Sequence, residues 1–297
     1  MSDPSNNAPS NLIELDLTNS HLDSLVDVPL PPTLQVLRIA SHHPSTTFPL
    51  LTPHPPPAHM QTLDVTANRL KILEPKLQAL ENLTWLCLRQ NLIHDTTDVE
   101  ALRSAPTLRH LELRDNQFTA IPSLDAFTSL TYLELSYNEI RSLEPLQTLH
   151  APNLKELYVA QNKVAEIQGV AQLTSIDILE LGSNRIKTIE GLDSLTSLRE
   201  LWLGRNRIAE IGEGLSSLTA LTKMSLQSNR LVSMAGVSFC TGLEELYLSH
   251  NGIEQLEVGS FFLFFSSFVL TNQQLPTPPP HAGIGVFDEF KDSGCIQ

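Results

Sequence analysis

The chain is poor in cysteine, in positive charge and in long apolar runs, and each scarcity excludes something. Three cysteines among 297 residues, Cys87, Cys240 and Cys295, lie far apart with no CxxC pair. They supply neither a disulfide framework nor a Cys-rich zinc site. Lys and Arg number 19 against 33 Asp and Glu, a net charge of −14. A primary nucleic-acid or anionic-membrane binder needs a basic face, so neither partner is expected. The longest apolar stretch, Phe261 to Leu270, is half the ~20 residues of a spanning helix. The opening MSDPSNNAPS has neither the basic start nor the apolar stretch of a signal peptide. The expected location is a reducing one, nucleus and cytoplasm. With 41% hydrophobic residues, the chain has ample material for a core.

What is abundant is repetition. Nine segments fit L-x-x-L-x-L-x-x-N, with Met, Ile or Val in place of some leucines. Their asparagines are Asn68, Asn91, Asn116, Asn138, Asn162, Asn184, Asn206, Asn229 and Asn251. The steps between them are 23, 25, 22, 24, 22, 22, 23 and 22 residues. Two weaker copies, Leu12 to Ser20 and Leu34 to His42, precede them. The L-x-L core has the period of a short strand with its leucines on one face. After each Asn the apolar residues step by three, as in Ile186, Ile189, Leu192, Leu195 and Leu198. That step suits 3₁₀ turns better than an α-helix. One unit cannot bury its own apolar face, but stacked units share a core. The expected fold is α/β, a right-handed leucine-rich-repeat solenoid. Short parallel strands line its concave face and 3₁₀ or turn returns its convex face. The asparagines form a structural ladder, their amides bonding backbone groups that lack a strand partner.

The expected organisation follows the period. Residues 1–10 are a disordered terminus, 11–42 degenerate repeats, 43–59 a loop with six prolines, and 60–257 the regular array. Extra loops are expected near Asp95 to Asp98 and His150 to Pro152. The pattern stops in mid-repeat at Val258, and a Phe-rich, then Pro-rich, tail of 258–297 follows. Valine codons begin with GT, the dinucleotide of a splice donor, so the tail reads as translated intron. It would leave the strand near Leu246 to Leu248 with an open, uncapped edge.

No enzyme motif occurs: no GxxxxGK[ST], HExxH, GxSxG or complete GxGxxG, since Gly283-Ile284-Gly285 lacks its third glycine. No catalytic residue, metal or cofactor is expected. His42, His43, His54 and His59 read as a solvated Pro-rich loop, without rigid geometry for a metal. Cys87 could be a nucleophile only with a base, and His110 on the next strand is the nearest.

The surface carries more. With the leucines inward, the third, fifth, seventh and eighth positions of each unit face the concave side. Both tryptophans and all four tyrosines fall there: Trp85, Tyr132, Tyr137, Tyr158, Trp202 and Tyr247. A one-residue slip would turn every leucine outward, so core packing is excluded for them. Acids share the third and fifth positions: Asp64, Glu112, Glu134, Glu156, Glu180, Glu200 and Glu245, against the single Lys223. Packing between surface neighbours and plain solvation are the simpler readings. Aromatics interleaved with acids on one face better suit a basic-patched protein partner.

The segments CLRQNLI (87–93), LELGSNRI (179–186), LQSNRL (226–231) and YLSHNGIE (247–254) resemble the leucine-rich-repeat regulatory subunits of type-one protein phosphatase. The resemblance covers about 60–257, two-thirds of the chain. It implies a non-catalytic scaffold that holds the phosphatase catalytic subunit on its concave face. It also implies control of activity and location, with roles in mitosis and chromosome segregation. Apart from that complex the chain is expected to be a monomer. The family's contacts are acids and aromatics at the fifth position, which here are Glu134, Tyr158, Glu180, Trp202 and Tyr247. Glu112 extends the row and Ser225 interrupts it. The missing later repeats and the Pro-rich loop depart from the family. The alternative is a repeat scaffold for another partner, of the ciliary or spliceosomal kind. An extracellular ectodomain is disfavoured by the absence of Cys-rich caps.

Overall fold

A computed structural model describes residues 11–20, 30–40, 57–73, 75–100, 102, 105–253 and 267–269. Most of the Pro-rich loop, residues 1–10 and nearly all of the tail lie outside this set, as do His42, His43 and His54.

The described residues coil into one parallel sheet of twelve strands, in chain order. They are β1 (Glu14–Asp16), β2 (Val36–Arg38), β3 (Thr62–Asp64), β4 (Trp85–Cys87), β5 (His110–Glu112) and β6 (Tyr132–Glu134). Then come β7 (Glu156–Tyr158), β8 (Ile178–Glu180), β9 (Glu200–Trp202), β10 (Lys223–Ser225), β11 (Glu245–Tyr247) and β12 (Ser267–Val269). Each strand holds the third to fifth positions of its unit, and the pairing never slips. Leu133 faces Leu157, Leu157 faces Leu179 and Leu179 faces Leu201. The central Leu is fully buried in each of these strands. The two weak N-terminal copies join the sheet as β1 and β2 in the same register.

The returns pack the other side of the core. Their step of three appears as i→i−3 bonds, Leu195 N–H to Leu192 O at 2.9 Å and Leu198 N–H to Leu195 O at 3.0 Å. Among the described residues three returns contain 3₁₀ helices, at Pro75–Ala79, Glu144–Thr148 and Val237–Phe239. The longest step, expected to hold a loop, instead folds a one-turn helix, α1 (Thr96–Glu100). Asp95 nucleates it, its Oδ1 accepting from Thr97 N–H at 2.9 Å. Phe118 and Phe127, the bulkiest wholly buried side chains, fill the core beneath this part of the array.

Each asparagine ties its coil to the one before. Asn162 Nδ2 donates to Leu135 O of the preceding coil at 3.0 Å and to Val159 O of its own at 3.2 Å. Its Oδ1 accepts from Ile140 N–H of the preceding coil at 2.9 Å. The same triad recurs at Asn184 and Asn206.

The residue before each Asn is left-handed. Ala67, Gln90, Asp115, Tyr137, Gln161, Ser183, Arg205, Ser228 and His250 have φ of 55–58°. That conformation turns the chain toward the core and aims the backbone N–H at the next coil, as from Ser183 to Gly204 O at 2.7 Å. Side chains branched at Cβ tolerate it poorly. Ser183→Val is expected to lower stability by about 1–2 kcal/mol, and Ser183→Asn to leave it nearly unchanged. Urea titrations followed by circular dichroism measure both.

One expectation is corrected. β11 does not end the sheet: Ser267, Phe268 and Val269 pair with Glu245, Leu246 and Tyr247. The backbone edge expected to stand open is thereby covered, and Phe268 occupies the register position of the fourth-place leucine.

Candidate functional site

Because the register never slips, each concave position becomes a row across the strands. The fifth-position row runs Glu112, Glu134, Tyr158, Glu180, Trp202, Ser225, Tyr247. The third-position row beside it runs Trp85, His110, Tyr132, Glu156, Ile178, Glu200, Lys223, Glu245. All six candidate contact residues therefore lie on one line.

Three of them repeat one device. In Glu-Leu-Tyr, Glu-Leu-Trp and Glu-Leu-Tyr the two polar ends project from one face, two residues apart. Tyr158 O–H donates to Glu156 at 2.7 Å, Trp202 Nε1–H to Glu200 at 3.1 Å and Tyr247 O–H to Glu245 at 2.8 Å. The bond holds each ring in place. At Glu245 it also stabilises the charge: the Tyr247 hydroxyl is the main reason that carboxyl titrates low. Lys223 sits between two of these acids, 3.8 Å from Glu200 and 3.3 Å from Glu245.

Ring packing ties neighbouring strands together. His110 lies flat between Trp85 and Tyr132, with centroids at 5.0 and 4.1 Å, and Tyr132 meets Tyr158 at 5.4 Å. Trp202 and Tyr247 stack at 5.9 Å across Ser225. Neighbour packing on the surface is thus real. It preorganises the aromatics, which nevertheless stay only partly buried.

The carboxylates are not equivalent. Glu112 takes a bond from His110 Nε2 at 2.9 Å, which keeps its carboxyl below the usual range. Glu134 is only 6% exposed and accepts from Ser136 N–H at 2.7 Å. It acts through its field rather than as an open contact. Burial pushes its carboxyl up, and it pushes Glu180 up in the same way, with the Glu134 charge adding to the effect. Arg114, 3.8 Å from Glu134 and stacked 4.4 Å over Tyr137, relieves them in part. A raised native pKa means stability is present below the unfolded value near 4.5 and is lost as pH climbs through the native value. Glu134→Gln is therefore expected to raise the thermal midpoint at pH 7, with the gain vanishing toward pH 4.5. Calorimetry over that range gives the answer.

Two features escaped the sequence reading. One is the His110 stack, whose signal was an aromatic at the same position in three successive units. The other is a groove of about 380 Å³ on the C-terminal side of the strands. Its floor is made by the small seventh-position residues Ser136, Ala160, Gly182 and Gly204, and Arg114, Glu180 and Trp202 wall it.

Cys87 is no nucleophile. It is buried, its sulfur lies 3.0 Å from Thr66 Oγ1, and its thiol bonds Glu112 at 3.3 Å. Burial pushes the thiol up to about 12, while His110 is engaged with the Glu112 carboxylate instead. No helix among the described residues is long and apolar enough to cross a membrane.

Comparison with known proteins agrees with this architecture. The family model for leucine-rich repeats (two copies) matches residues 106–148, 152–194 and 174–218. A leucine-rich-repeat protein of Leptospira interrogans superposes with a TM-score of 0.66, at 23% identity, over 90% of this chain and 80% of its own. Internalin C2 of Listeria monocytogenes gives 0.53 at 27% identity, over 58% of this chain and 74% of its own. A curated Arabidopsis thaliana protein, the protein phosphatase 1 regulatory inhibitor subunit PPP1R7 homolog, is 44% identical over 117 residues. That match takes in 38% of this chain and 27% of the relative. Residues 106–148 and 152–218 thus carry recognisable leucine-rich repeats, and part of the chain is similar to a homologue of a protein phosphatase 1 regulatory inhibitor subunit.

Proposed function

We propose that the chain is a non-catalytic regulatory scaffold that binds the catalytic subunit of a type-one protein phosphatase through the concave face. The observation that carries this is the fifth-position row, where acids and preorganised aromatics stand in register across successive strands. Such a face offers aromatic anchors for affinity and a negative field for steering a basic partner. The 44% identity to a phosphatase regulatory subunit homologue supports this choice of partner. Control of the phosphatase's activity and position in nucleus and cytoplasm, and a part in mitotic chromosome segregation, belong to the same reading. The complex contains one copy of this chain.

Affinity capture on the full chain is the test. The purified catalytic subunit should be retained, and all phosphatase activity of a preparation should leave with it when it is stripped. Activity persisting in the stripped chain would overturn the non-catalytic assignment. Failure to retain the catalytic subunit would overturn the choice of partner and leave a repeat scaffold with another one.

A further inference from the structure

The flank of the solenoid beside the groove carries the opposite charge from the sheet face. From Asn91 onward the residue after each Asn starts the return, and its backbone N–H donates to the preceding coil. Arg185 bonds Val164 O at 2.8 Å, Arg207 bonds Ile186 O at 2.9 Å and Arg230 bonds Ile208 O at 2.8 Å. The three side chains thus leave the backbone at equivalent points of consecutive coils, roughly 5 Å apart. All three are exposed, and none forms an ion pair among the described residues. Arg205, two residues before Arg207, is also exposed and lines the groove.

The repeat itself does not ask for cations here. The equivalent positions in other units hold Arg69, Leu92, Gln117, Glu139, Lys163 and Gly252, so uncharged and acidic residues serve as well as cations. Where a cation does appear one coil earlier, at Lys163, it is neutralised by Glu139 at 2.9 Å. The backbone bond satisfies the fold whatever the side chain. Three like charges this close repel one another. In a chain of net charge −14, a row of unpaired arginines is therefore neither a compositional background nor a structural need.

We propose that this arginine rim docks a short, extended acidic segment of a partner protein. Carboxylates accept from the guanidinium fork in pairs. An extended segment rising ~3.3 Å per residue places acids against successive coils. A nucleic acid fits less well. It would need more phosphate contacts than three cations supply, and the rim positions flanking Asn184, Asn206 and Asn229 carry no aromatic for base stacking. The inference is independent of the phosphatase reading, because the rim and the fifth-position row share no residue.

The test uses the full chain and a fluorescein-labelled oligoglutamate of about six residues, followed by fluorescence anisotropy at low and near-physiological salt. Binding at low salt should weaken as salt screens the rim. The variant with Arg185→Gln, Arg207→Gln and Arg230→Gln should bind about tenfold more weakly, with an unchanged circular dichroism melt. Trp202→Ala should bind the probe like the wild type. Equal binding by wild type and triple variant, or no binding at low salt, would overturn the proposal. So would tighter binding of a single-stranded oligonucleotide of matching charge.

Discussion

Asn184→Leu should cost about 4 kcal/mol of folding stability. The amide group of Asn184 donates to Val159 O at 2.9 Å, Leu181 O at 3.1 Å and Gly182 O at 3.3 Å. Its oxygen accepts from Val164 N–H at 3.0 Å. Leucine has similar volume and fills the site, so no cavity forms. It leaves the Val164 N–H without its acceptor inside the core, and strips donors from three carbonyls. Each buried polar group left without a partner costs ~1–3 kcal/mol. Against the 5–15 kcal/mol that holds a typical domain together, that is a large share. Denaturant titration should show the midpoint falling sharply. A midpoint within ~0.5 kcal/mol of the wild type would mean that the ladder is dispensable.

Trp202→Ala should weaken binding of the phosphatase catalytic subunit about thirtyfold, or ~2 kcal/mol, as expected of a central aromatic anchor. Trp202 stands between Glu180 and Ser225 on the fifth-position row, held by its bond to Glu200 and by stacking on Tyr247. Its ring is therefore ordered before a partner arrives, and little rotamer entropy remains to be lost on binding. Glu180→Ala should be comparable, since its half-buried carboxyl, pushed up by burial and by the Glu134 charge, has no ion pair among the described residues and gains most from a cation. Lys187→Ala, after Asn184 on the return, should be silent. Calorimetry in which both sheet-face variants matched the wild type would sink the site assignment, whatever the partner.

The fold was legible because its signal is redundant. The Asn spacing, the L-x-L pairs and the steps of three each point to the same coil. The short helix at Thr96–Glu100 was not legible, since a single turn is too short to show a period. β12 escaped because Phe265 and Phe268 stand in the first and fourth leucine places of its sequence and Gln273 in the asparagine place. For the site, the alternation of strands fixes the face of each side chain but not its depth. Glu134 and Glu180 stand at the same position of their units, yet Ser136 and Arg114 cover the first more closely. The tie between Glu156 and Tyr158 lay in plain view as an i, i+2 pair on one face. Its energetic role emerged only with the hydrogen bond.

The asparagine ladder has a direction. The amides reach back to the coil before, from Asn91 to Val65 O and from Asn251 to Leu226 O. A coil is thus fastened by a residue it carries itself, onto a surface already made. During synthesis on a ribosome, every new unit brings its own clasp as its asparagine emerges, and that asparagine also completes the coil before it, as Asn184 meets the waiting Val164 N–H. Growth from the N-terminus is then an ordered zippering, in which each coil is completed by the one that follows it.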